Sequence, residues 1–139
     1  MISDNTEEKI CTSHILIPTF NTKKIKEEKI HTFATEIAKK INEDPSFFGV
    51  AAYNYSFCPS GSSNTALNIC INNIKANNEK KYKEELYQCI TKYGGDLGCY
   101  SKEELDATYV EAASKLKVGE ITKEPIKTKF GYHIIKRNK

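Results

Sequence analysis

The stretch GGDLGCYSKEELDATYVEAASKLKVGEITKEPIKTKFGYHIIK, residues Gly94 to Lys136, decides the fold. Its paired glycines followed by Asp96 make a turn into a short strand, Leu97 to Tyr100. Ser101 with Glu104 three residues on is a capping box, opening helical sequence expected to run, with a bend, to Leu116. Val118-Gly119-Glu120 reads as a tight turn. Two closing strands follow, Ile121 to Thr128 and Tyr132 to Lys136, joined through Lys129, Phe130 and Gly131.

Upstream, Cys11 to Pro18 contains the apolar run Ile15-Leu16-Ile17 and reads as a strand ended by proline. From Lys24 to Asn42, Ile30, Phe33, Ala34, Ile37, Ala38 and Ile41 recur at three- and four-residue spacing, so a helix buries that face. Asp44-Pro45 stops it, and Ser46 is placed to cap a second short helix through about Tyr55. Gly61 to Asn64 is a turn-rich break. The Asn-rich stretch from Asn64 to Asn78 fits neither period. Glu79 to Thr91 reads as a helix with Tyr82, Leu86, Cys89 and Ile90 on one side. The order strand, helices, strand, helix, hairpin describes an α+β domain with a small sheet. Residues 1–9 read as a flexible tail and 10–139 as one domain, which suits a chain of 139 residues.

Composition narrows the function little. Apolar residues make up 39% and charged residues 28%, ordinary for a soluble domain. The net charge of +3 is small and the charges interleave, as between Lys23 and Lys29, so no basic stripe calls for nucleic acid. No segment reads as membrane-spanning, and Met1 to Lys9 has no apolar signal core. The five cysteines, Cys11, Cys58, Cys70, Cys89 and Cys99, contain no C-x-x-C pair. No metal or redox motif follows from them. An odd count suits a reducing compartment, with Cys99 the most buried of the structural thiols. The expected location is therefore cytoplasmic, extending to the nucleus, and secreted only if a signal peptide has been removed. No cofactor is called for, and a monomer is expected.

The Gly94–Lys136 run resembles the C-terminal half of a parvulin domain, the peptidyl-prolyl cis/trans isomerase family of that name. It carries the G-G-D-L-G turn, the L-x-x-G-E turn and the closing F-G-x-H-I-I strand. Ser13-His14-Ile15-Leu16-Ile17 is similar to the family's opening S-H-I-L-V strand. Phe48 to Cys58 is similar to its F-x-x-L-A-x-x-x-S-x-(C/D) segment. The resemblance covers about residues 11–60 and 93–137 and implies a four-stranded antiparallel sheet with surrounding helices, the parvulin/FKBP-like α+β fold. It departs from the pattern in an insertion at about 61–92, where a surface elaboration is favoured over a partner-binding or gating element. One extra residue between Gly119 and Pro125 suggests a strand bulge.

The resemblance also implies a site. A proline pocket would be walled by Leu97, Leu105 and Tyr109, with Phe130 covering an edge. Leu105 and Tyr109, four apart, would share a helical face. A polar slot would be formed by His14, His133 and Thr128, with Cys58 facing the substrate amide as a polar or anionic group. Taken singly, these histidines and apolar residues are more often plain core. Lys23 and Lys24 are the candidates for contacting a phosphate or acidic substrate, although a solvated helix start accounts for them equally. The implied activity is non-covalent isomerisation of X–Pro bonds in proline-containing polypeptides. The alternatives are a weakly active or inactive chaperone-like interaction module, and an adaptor working through the insertion.

Overall fold

The structure is a computed structural model that describes residues 9–19, 26–56, 70–72, 74–75 and 77–139. Its centre is a four-stranded antiparallel sheet in the order β2-β1-β4-β3. The strands are β1 (Lys9–Pro18), β2 (Asp96–Ser101), β3 (Ile126–Thr128) and β4 (Gly131–Arg137). The helices are α1 (Glu27–Glu43), α2 (Phe47–Tyr55), α3 (Glu79–Tyr93) and α4 (Ala107–Ser114). Residues 1–8 of the expected tail lie outside the described residues, whereas Lys9 already pairs with Ser101 in the sheet.

Alternation along the two central strands divides the core. Ile15 and Ile17 of β1 and Tyr132 and Ile134 of β4 face α1 and α2. They pack there with Ile30, Ala34, Ile37, Ala38 and Ile41 of α1, the helical stripe that the sequence marks out. Ile10 and Ile135 face the other way, onto Tyr109 and Ala113 of α4. Phe33 departs from the expected buried face: it is 40% exposed at the edge of the stripe, its ring edge-on to Tyr55. On the same side Lys127 and the Tyr132 hydroxyl both reach Glu27, at 2.7 and 3.1 Å, tying the start of α1 to the closing hairpin.

Several elements end where local chemistry dictates. Asn78 caps α3 by accepting the Lys81 amide at 2.9 Å. Ser46, by contrast, makes no capping bond to α2. Its hydroxyl and amide are turned back to the Asp44 carboxylate, which satisfies them within the Asp-Pro-Ser turn.

The capping box at Ser101 and Glu104 is present, but it opens only a single 3₁₀ turn, Lys102–Glu104. Leu105 is then extended, with φ −114° and ψ 163°. Asp106 starts α4 afresh, its carboxylate accepting the amides of Thr108 and Tyr109. The expected bent helix is thus two elements. A second good cap one turn after the first gives the chain a reason to restart rather than bend.

The first closing strand is also shorter than expected. Ile121 makes an isolated bridge to Lys136, and pairing resumes only at Ile126. Between them the Thr122 hydroxyl takes the Ile135 amide at 3.0 Å, so a side chain replaces the ladder carbonyl where the sequence suggests a bulge.

The helix that ends the inserted segment, α3, packs tightly on α2. α3 lies so close to α2 that a Cβ on Gly49 would strike the carbonyls of Ile90 and Thr91, and one on Gly94 would strike the Gly49 backbone. Tyr82, Leu86 and Cys89 are half-buried and Ile90 buried, as their spacing requires.

Candidate active site

His14 stands on β1 and His133 on β4, on the sheet face opposite α1. Their Nδ1 atoms are 3.2 Å apart and both side chains are buried. One ring must donate and the other accept, so the contact couples the two tautomers. The Thr128 hydroxyl lies 2.7 Å from the far nitrogen, Nε2, of His133. That hydroxyl also accepts the Phe130 amide at 3.2 Å, which fixes the oxygen within the β3–β4 turn. Thr128, His133 and His14 therefore form one hydrogen-bonded chain. Burial, and secondarily the neighbouring His14, push the His133 pKa down to about 3, with Asp106 opposing weakly. At neutral pH His133 is an uncharged hydrogen-bonding group.

Tyr109 closes the cluster. Its ring is edge-on to both imidazoles, with centroids 5.7 Å from His14 and 5.2 Å from His133. The imidazoles are near-parallel to each other at 5.4 Å. Leu97 and Leu105 are half-buried and pack against the apolar cluster that contains Tyr109, so the three apolar residues singled out in the sequence share one cluster. The reason differs from the one expected. Leu105 is not on the helix with Tyr109; it precedes the Asp106 cap in extended backbone and reaches the cluster from outside α4. Phe130 sits in the β3–β4 turn, 39% exposed. Cys58, Lys23 and Lys24 lie outside the described residues.

Backbone contacts hold the histidine strand in place. The His14 amide donates to the Gly95 carbonyl at 2.9 Å. Gly95 has φ +81°, and a Cβ there would meet the His14 carbonyl oxygen and the Ala52 side chain. Glycine is therefore required at this step of the G-G-D turn. The Ser56 hydroxyl accepts the Leu16 amide at 3.0 Å, pinning the end of α2 beside β1. Sequence reading passed over two residues. One is Ser56, whose signal was its place in the S-x-C segment. The other is Thr12, two residues before His14 and so on the same strand face. A hollow at the start of α3, lined by Asn78, Tyr82 and Leu86 among others, shares no residue with the histidine cluster.

The described cysteines are paired, not free thiols as expected. Cys11 faces Cys99 across the β1–β2 ladder and is disulfide-bonded to it; Cys70 is bonded to Cys89 of α3. Disulfides are rare in reducing compartments, so these two do not support the cytoplasmic part of the expected location. Cys99 is also exposed rather than buried, because β2 is an edge strand; among the described cysteines the fully buried one is Cys70. Among the described residues no cluster of side chains is fit to hold a metal ion, and no helix is long and apolar enough to cross a membrane.

The chain is similar to several known proteins. Residues 80–139 match the family model described as "Rotamase: PPIC-type PPIASE domain". The foldase protein PrsA of Geobacillus kaustophilus is 33% identical over 133 residues, 96% of this chain and 32% of that protein. PrsA of Bacillus subtilis is 56% identical over 45 residues, 32% of this chain and 15% of that protein. This chain thus spans a third or less of these curated relatives. The solution structure of NmPin, the parvulin of Nitrosopumilus maritimus, is 31% identical with a TM-score of 0.52, covering 93% of this chain and 94% of that one.

Proposed function

The chain belongs to the parvulin family of peptidyl-prolyl cis/trans isomerases, and on that premise we propose that residues 10–139 act as one domain that rotates X–Pro bonds without covalent chemistry. Planar amides resist rotation by ~18–20 kcal/mol because twisting removes resonance. A catalyst lowers that barrier by binding the twisted state more tightly than either planar one. Leu97, Leu105 and Tyr109 would hold the prolyl ring, with Phe130 at the rim. The chain Thr128–His133–His14 would present fixed, uncharged hydrogen-bonding atoms to the rotating amide in a site already shielded from water.

The observation that carries this reading is the contact of the Tyr109 ring with both imidazoles. It puts an apolar wall and a polar chain side by side, as a ring-gripping, amide-twisting site requires. A His133 pKa of about 3 supports an organising role over proton transfer, since a base so weak has little use near pH 7. Cys58, two residues beyond Ser56, would complete the slot as its polar or anionic member.

The substrates would be proline-containing polypeptides, in keeping with relatives named as foldases. The two disulfides support work in an oxidising compartment outside the cytoplasm. The test is an NMR exchange or protease-coupled assay on X-Pro peptides with neutral, acidic and phosphorylated X. Acceleration of at least one class is expected. No acceleration of any peptide would refute the activity.

A further inference from the structure

The site as described leaves one buried hydroxyl pair without a role. Thr12 is fully buried on β1, and its Oγ1 lies 2.8 Å from the Tyr109 hydroxyl. Tyr109 is itself only 3% exposed. Thr12 and His14 lie two apart on one strand face, so the hydroxyl pair and the imidazole pair are neighbours along β1. A tyrosine in the wall of a pocket for a prolyl ring poses a problem. The prolyl ring has no hydrogen-bonding group to offer, so a phenol hydroxyl turned toward it would be left unsatisfied or would bring water with it. Thr12 resolves this by engaging the hydroxyl behind the wall, in the core between β1 and α4.

We propose that Thr12 is a positioning residue of the isomerase: its bond to the Tyr109 hydroxyl fixes the tyrosine ring edge-on to His14 and His133 and keeps the face turned to substrate apolar. The inference rests on the assignment of Tyr109 to the proline pocket. Thr12 acts only through Tyr109, which touches both halves of the site. Removing the threonine hydroxyl while keeping the side-chain volume takes this bond away from the phenol, and the ring loses the restraint that holds it against the imidazoles. Once the Tyr109 hydroxyl is gone, removing the Thr12 hydroxyl takes no bond from it. The two residues should therefore be coupled in catalysis.

The experiment is a double-mutant cycle on the disulfide-bonded protein, with Thr12→Val, Thr12→Ser, Tyr109→Phe and Thr12→Val/Tyr109→Phe assayed on one X-Pro peptide. Ring NMR signals of His14 and His133 are followed in parallel. Thr12→Val is expected to lower kcat/KM about tenfold, chiefly by raising KM, and to move both imidazole signals. Thr12→Ser, which keeps a hydroxyl, should stay within about twofold of wild type. In the Tyr109→Phe background, adding Thr12→Val should change kcat/KM by no more than about twofold.

Equal losses from Thr12→Val in both backgrounds, or equal losses from the Val and Ser variants, would overturn the proposal. Should Thr12→Val fail to fold, the Ser variant and the Tyr109→Phe pair still decide it, since neither strips this bond from the phenol. Leu105→Glu separates this from the pocket assignment. If it abolishes activity while Thr12 and Tyr109 show no coupling, only the role of Thr12 falls. If it leaves the rate unchanged, the pocket falls too.

Discussion

Acidification from pH 7 to pH 5 should destabilise this protein through His133. Burial and the facing His14 hold its folded-state pKa at about 3, against an ordinary 6.5. Between those values the unfolded chain binds a proton that the folded one refuses. The stabilisation is therefore complete above pH 6.5, is lost as pH falls below it, and levels off near pH 3. Each unit of the gap is ~1.4 kcal/mol, so the first two pH units below neutrality should remove about 2 kcal/mol. For a domain of this size that lowers Tm by roughly 5–15 °C.

The window lies above the carboxylates that titrate with the fold. Glu27 is held below the usual carboxylate range by hydrogen bonds from Lys127 and Tyr132, and Glu104 by those from Ser101. Their loss of stabilisation falls mainly below pH 5, where the unfolded carboxylates take up protons, so they add little to the change between pH 7 and pH 5. Urea melts at pH 7 and pH 5 on wild type and His133→Asn provide the assay, because asparagine keeps hydrogen-bonding atoms but cannot titrate. Wild type should lose about 2 kcal/mol more than the variant. Equal losses, or an NMR titration of the His133 ring with a midpoint near 6.5, would refute the reasoning.

Cys58→Ala and Leu105→Glu should each lower kcat/KM at least about tenfold while near-UV circular dichroism stays native; unchanged rates in both would show the site to be elsewhere. Non-reducing peptide mapping by mass spectrometry should recover the pairs Cys11–Cys99 and Cys70–Cys89. On loop-closure grounds, replacing the pair across the 19-residue separation with serines should cost about 3 kcal/mol, and the pair across 88 residues between 4 and 5. Gly49→Ala should destabilise by about 1–3 kcal/mol and speed amide exchange in α3, because its Cβ meets the Ile90 and Thr91 carbonyls. Wild-type stability and protection would remove the case for close α2–α3 packing.

How much of this was readable beforehand follows a physical division. Where an element is specified by its own residues, the sequence sufficed. The stripe from Ile30 to Ile41 defined α1, alternation and a closing proline defined β1, and the glycines with Asp96 defined the turn into β2. The paired histidines, with Thr128 five residues before the second, were likewise visible once the motifs were read in order. Where two local signals compete, sequence reading failed. Ser46 had a cap to offer but Asp44 took it, and Asp106 restarted a helix that Ser101 had already opened.

What the sequence determined by itself is therefore the list of strands, helices and turns, and the family to which their order belongs. Which side chains meet across long separations was decided only in the tertiary structure. Five cysteines say nothing of their pairing until the β1–β2 register sets Cys11 opposite Cys99. Thr12 and Tyr109 stand 97 residues apart, and nothing local to either announces the other. Sequence periodicity reports which face of an element is buried. The partner of a buried hydroxyl or thiol depends on how strands register and helices dock, and that is fixed by the packing of the whole sheet.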